Sequence, residues 1–234
     1  MTKPGCSETS RLWRVGGLLS SLLVGAWAAN QADAAAGQPG LSSTDAGWGS
    51  VESVPPGIWE NGVGEGFRSG TRSFSFSAGG LAGLRAFGAV EVHDLVLVNF
   101  EYGRMLGPVR GEGHWYRGNP EFRVELFTGA QVSPSVDWLV GLTPHIRYDF
   151  ATGTRWVPFV DVGAGVTATG IGPPDLSGTF EFNLQAGGGV YWLLKDDVAL
   201  DLEVHCVHWS CAGISEPNLG LNGIQFMAGL TIFF

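Results

Sequence analysis

The chain has 234 residues, a formal net charge of −9, 37 glycines and 9 tryptophans, and only 15% of it is charged. An acidic balance argues against nucleic acid as a partner, because phosphate binding needs a basic surface. The glycine and tryptophan content argues against a helical bundle. The composition is 44% hydrophobic, yet no stretch beyond the N-terminus is long enough for a spanning helix.

Residues 1–36 have the layout of a cleaved secretory signal peptide. Lys3, Arg11 and Arg14 make a positive start, VGGLLSSLLVGAWA (15–28) is apolar, and Ala26-Trp27-Ala28, Ala32-Asp33-Ala34 and Ala34-Ala35-Ala36 are candidate cut sites. The apolar run falls short of the roughly 20 residues of a spanning helix. Cutting after Ala34 removes those three positive charges against Glu8 and Asp33, so −9 becomes −10. Cys206 and Cys211 remain. Five residues of extended strand span roughly 16 Å and a disulfide needs Cα atoms within about 7 Å, so no bridge between them is expected. Residues 37–70, rich in Gly, Ser and Pro, suggest a flexible leading segment, and 71–234 a single domain.

From Thr71 the chain breaks into eight runs of period-two alternation separated by Gly, Pro, Asn and Asp. Val96, Val98, Phe100 and Tyr102 share a face in the second run; Phe122, Val124 and Leu126 in the third; Ile146, Tyr148 and Phe150 in the fourth. Phe180, Phe182 and Leu184 oppose Glu181, Asn183 and Gln185 in the sixth, and the chain ends on the amphipathic GIQFMAGLTIFF. Runs of about 12 residues exceed the usual strand of globular sheets and suit a tilted crossing of a bilayer. In lipid only a closed barrel satisfies every backbone group. The expected fold is therefore all-β, an eight-stranded antiparallel transmembrane β-barrel with its apolar face outward. A soluble lipocalin-like barrel would need the opposite parity. A terminal Phe closing such a strand resembles the assembly signal of bacterial outer-membrane barrels.

The seventh run, DVALDLEVHCVHWS, places Val198, Leu200, Leu202, Val204, Cys206, His208 and Ser210 on the lipid side. With both termini in the periplasm, this strand ends in the outer leaflet. A His and a Ser there are either members of an interfacial girdle or a functional pair beside lipid esters, since polar groups facing lipid are costly. Elsewhere His93, His114 and His145 are scattered, His205 faces the interior as a packed polar partner, and no His/Asp/Glu spacing suggests a metal site. The glycine-rich AGGLAG and AGGGV stretches lie within strands and are not phosphate loops.

The run HWSCAGISEPNLGLN (208–222), its preceding ALDLEV strand, and the segments AGGLAGLRAFG (78–88), RYDFATGTRWVPFVDVGAGV (147–166) and PDLSGTFEFNLQAGGGV (174–190) resemble the lipid A 3-O-deacylases. These are PagL-type, acyloxyacyl hydrolase-like barrels of the Gram-negative outer membrane, and the likeness spans residues 71–234. It implies an esterase acting on lipid A of lipopolysaccharide, without metal or cofactor. Outer-membrane lipid would surround it, and dimerisation is one way such a barrel could be held latent. The family's nucleophile falls on Ser210, its general base on His208 and its oxyanion glycine on Gly213. Cys211 stands where the pattern has an oxyanion Asn. Asn222 stands where it has the Glu that orients the His, so Asn222 is expected to take that place on the lipid face, with Glu216 a weaker substitute acid. These departures leave a second expectation open, a weakened or inactive member serving as a structural or lipid-binding barrel.

Overall fold

The computed structural model describes residues 57–234; the expected signal peptide and residues 37–56 lie outside the described residues. Eight strands follow in chain order: β1 (Arg72–Gly83), β2 (Asp94–Met105), β3 (Gly118–Ser133), β4 (Asp137–Phe150), β5 (Trp156–Thr169), β6 (Phe180–Leu193), β7 (Val198–Ser210) and β8 (Leu221–Phe233). Each pairs antiparallel with its neighbours in sequence, and β1 closes on β8 from Ser73↔Phe233 to Gly83↔Gly223. Closure leaves no edge strand. Among the described residues no helix is long and apolar enough to cross a membrane, so any crossing is made by strands.

Side chains alternate as the period-two pattern requires. Phe100, Leu126, Leu142, Val160, Leu184 and Leu230 are exposed on the outside, whereas Arg123, Arg147, Asp161 and Glu203 are buried inside. An outward apolar belt around a polar interior is the inverse of a soluble barrel and the pattern of a lipid-facing one. Aromatic rings gather near the terminal end, where Trp156 stacks on Trp192 and Phe74 on Phe234. Trp138, Phe180 and Phe182 lie at the far end.

The interior is layered. At the far end Leu81, Leu97, Phe127, Leu139, Trp209 and Leu221 belong to one apolar cluster. At the terminal end Trp59, Phe67, Val157, Tyr191 and Phe233 belong to another. Between them lies a charged middle. Arg123 pairs with Glu101 and bonds Ser75 and Tyr191. Arg147 donates to Asp161 at 2.9 Å and to Glu203 at 2.6 Å, and lies 3.6 Å over the Phe159 ring.

One expectation is corrected here. Residues 57–70 were expected to be loose from their composition, but they fold into the terminal-end cluster. Trp59 bridges to Phe67, donates from Nε1 to the Asp196 carbonyl at 3.0 Å and stacks on Phe67, which stacks in turn on Phe233. Burial of Ile58, Trp59 and Phe67 holds the segment despite its glycines.

Arg147→Met would strand Asp161 and Glu203 without their buried cation, at a cost of about 3–5 kcal/mol. The temperature at which the folded barrel loses its compact migration on a denaturing gel should fall accordingly. An unchanged temperature would contradict this account of the core.

Candidate active site

β7 delivers His208 and Ser210 to the outer face at its far end, while Trp209 between them turns inward and stacks on Phe127 at 5.9 Å. On the neighbouring strand His208 faces Asn222, and on the other side Ser210 pairs with Phe182. His208 Nδ1 and Asn222 Oδ1 are 2.7 Å apart, and Asn222 Nδ2 donates to the carbonyl of Ala86 at 2.8 Å. That second bond fixes which end of the amide faces the ring. The carbonyl of Ala86 can only accept, so Nδ2 must point to it and Oδ1 to His208. His208 then carries its proton on Nδ1, leaving the Nε2 lone pair free to take one. Among the described residues no hydrogen bond joins His208 to Ser210 directly.

The expectation that Asn222 faces lipid is half right. It lies on the outer face by parity, but it is only 4% exposed. The 84–93 loop folds over it: Leu84 N–H donates to the Asn222 carbonyl at 2.7 Å, and the Phe87 ring stands edge-on to His208 at 6.2 Å. Gly220 completes the enclosure. Its φ of +84° suits glycine, and a Cβ there would come within 2.9 Å of His208 Cε1.

Of the two expected oxyanion groups, the structure turns one, Cys211, away from this face. Cys211 is 2% exposed and turned inward, and its N–H donates to Asn218 Oδ1 at 3.1 Å. Its sulfur accepts from Ser177 Oγ at 3.2 Å and donates to the Ser215 carbonyl at 3.3 Å. Burial alone would raise this thiol, but the bonds from Ser177, Ser215 and the Gly213 amide pull it below the usual thiol range. Gly213 follows at φ +79°, exposed on the same turn. Glu216 is exposed on the 211–220 loop and makes no hydrogen bond or ion pair with His208 among the described residues. Cys206 and Cys211 are both free thiols.

Sequence spacing missed what holds the loops together. Asp175, 0% exposed in the β5–β6 loop, accepts from the amides of Val90 and Glu91 at 3.0 and 2.8 Å and from His93 Nε2 at 3.0 Å. Its backbone carbonyl accepts from Leu219 and Gly220 at 3.0 and 2.9 Å. His93 Nδ1 reaches Gln131 Oε1 at 2.7 Å. One residue therefore ties the loop over Asn222 to the loop carrying Gly220. Burial would raise the Asp175 carboxyl, but the two amides and His93 outweigh it and hold it below the usual range.

Fold and site together define an outer-membrane-type β-barrel with a His–Ser pair on its lipid-side rim. A model of the lipid A 3-O-deacylase (PagL) family matches residues 100–231, more than half of the chain. The chain belongs to that family. Among solved structures, the outer membrane enzyme PagL aligns at 18% identity and a TM-score of 0.48, covering 67% of this chain and 97% of that one. Neisserial surface protein A aligns at 16% identity and a TM-score of 0.50, covering 71% and 98%. Outer membrane protein OprG from Pseudomonas aeruginosa aligns at 9% identity and a TM-score of 0.41, covering 73% and 98%. The second of these is a likeness of fold alone. No curated protein gives a significant match.

Asp175→Asn should loosen both loops by about 1–3 kcal/mol, because an amide is a poorer acceptor for two N–H groups and a His. Hydrogen exchange at 84–93 and 211–220 should quicken while the strands stay protected. In the parent chain, a carboxyl held below its usual value stabilises fully at neutral pH and loses that contribution as pH falls through its lowered pKa. Loop protection should therefore hold from pH 7 down to about 4 and fail only below it. Loss of protection nearer pH 6 would refute the clamp.

Proposed function

We propose that this barrel is an outer-membrane esterase of Gram-negative bacteria that removes the 3-O-linked acyl chain from lipid A. Ser210 Oγ attacks the ester carbonyl carbon as His208 Nε2 takes its proton. The tetrahedral intermediate collapses, the sugar oxygen leaves with the proton now on His208, and water, activated by the same nitrogen, frees the fatty acid. Asn222 keeps the His208 proton on Nδ1 so that Nε2 can act. The observation that carries the reading is the Ala86–Asn222–His208 chain of hydrogen bonds two residues from Ser210 on the face that meets lipid. Lipopolysaccharide in the outer leaflet presents its acyl esters at that depth. Asn222 supplies no negative charge to stabilise the imidazolium, so turnover should be slow.

A second reading, a family member that holds lipid without cleaving it, is favoured by one feature. Cys211 spends its donors on Asn218 and Ser215 within the loop, and losing one oxyanion donor typically costs about 10²–10³ in rate.

Mass spectrometry of lipid A from cells expressing the chain, beside cells with Ser210→Ala at matched folded levels, tests the proposal. Loss of one 3-hydroxyacyl chain in the first only is the expected result. Unchanged lipid A in both, with the barrel folded, would move the assignment to the second reading. Given activity, His208→Ala should abolish it. Asn222→Ala should lower kcat by about 10²-fold or more with KM little changed, because it acts on the base and not on substrate.

A further inference from the structure

Midway down the barrel, three strands bring together His145 on β4, Asp161 on β5 and His205 on β7, with one ligand atom from each within 4.8 Å of the others. Asp161 Oδ1 is the meeting point, 2.7 Å from His205 Nε2 and 3.8 Å from His145 Nδ1. Each imidazole shows its far nitrogen to another carboxylate: His145 Nε2 to Glu125 at 3.5 Å, and His205 Nδ1 to Glu203 at 3.9 Å. Arg147 holds the assembly from behind through Asp161 Oδ2 and Glu203 Oε1, which leaves Asp161 Oδ1 to the two rings.

Two independent observations point to a ligand here. His145 is 5% exposed, yet its two nitrogens meet carboxylates only at 3.5 and 3.8 Å, and His205 Nδ1 at 3.9 Å, none of them forming a hydrogen bond. Buried polar groups are rarely left so. The strands also bury eight carboxylates against two guanidiniums, between apolar clusters at either end. Such a layer out of water is balanced by protons on some of the carboxyls, by bound positive charge, or by both. Room for the ring is provided by Gly163, where a Cβ would stand 2.6 Å from His145 Cε1.

We propose that the barrel interior binds one divalent transition-metal ion of the zinc type through His145 Nδ1, His205 Nε2 and Asp161 Oδ1. Two imidazoles and a carboxylate are a donor set that zinc takes, with a fourth position left for water. A metal-bound His usually gives its other N–H to a carboxylate, and Glu125 and Glu203 stand where those acceptors belong. Tetrahedral bonds of about 2.0–2.2 Å separate ligand atoms by roughly 3.3–3.5 Å. His205 therefore backs away slightly from Asp161, and His145 closes in. With both ends packed by apolar side chains, the ion enters as the barrel folds.

The test uses the full chain folded in detergent with zinc, dialysed against a chelator, and analysed for metal. Cobalt folded in place of zinc gives a visible spectrum that reports tetrahedral coordination. About one zinc per barrel is expected to survive dialysis. His205→Gln and Asp161→Asn should each lower retained zinc at least tenfold, and Glu125→Gln should weaken affinity by about 10–100-fold. Less than about a tenth of an ion in the parent barrel, or equal zinc in the parent and a folded His205→Gln barrel, would overturn the proposal and leave protons alone to balance the layer. Heat-dependent gel migration shows which variants fold. Should none fold, the zinc content and cobalt spectrum of the parent chain decide alone.

Discussion

A peptide group in hydrocarbon has no water to bond, so a strand that crosses a bilayer must find a partner for every N–H and C=O. Pairing β1 with β8 meets that demand, and much else follows from closure. A closed sheet of alternating side chains has only two faces, and lipid claims one of them. The polar residues of every strand are then driven inward, where no bulk water solvates them. Arg123 and Arg147 answer to that consequence as much as to any function. The interior is a set of charges that closure has forced together, with Arg123 and Arg147 pairing part of them.

The same parity decides what the rim of β7 can do. Because Trp209 must fill the interior, His208 and Ser210 must face out, and because Cys211 follows next in phase it must turn in. On the proposed reading, such a pair would meet a substrate already embedded in the membrane and need no pocket dug into the barrel. Strand geometry sets the facing of the two side chains, but it cannot exclude water or hold the His. Those tasks fall to loops, and Asp175 gathers segments around residues 90, 175 and 220 about a single carboxylate and its carbonyl.

Period two is a local signal, so the strands, their faces and the outward parity of His208 and Ser210 were legible in the sequence. The family motif, carried on 208–222, supplied their roles as expectations. What could not be read were contacts set by closure and by loop folding. Val90 and Asp175 are 85 residues apart in the chain. The grouping of His145, Asp161 and His205 depends on three strands lining one lumen, and no spacing within a strand encodes it. Residues 57–70 misled for another reason. Glycine content masked a few large apolar side chains, and Phe67, fully buried, outweighs the freedom of its neighbours.

Asn222 is where strand and loop requirements meet. A carboxylate at this position would hold the His208 proton on Nδ1 and stabilise the ring once charged, but it has only acceptors. It would face the Ala86 carbonyl with like partial charge, and the loop that covers the site would lose one of its anchors. An amide accepts from the ring with one atom and donates to the loop with the other. The exchange of Glu for Asn therefore goes with a rim that is covered and not open. On the proposed mechanism it would trade electrostatic support for the imidazolium against a covered His208. With Gly220 allowing the 211–220 loop to lie against the His208 ring, the arrangement holds the imidazole in one orientation between strand and loop.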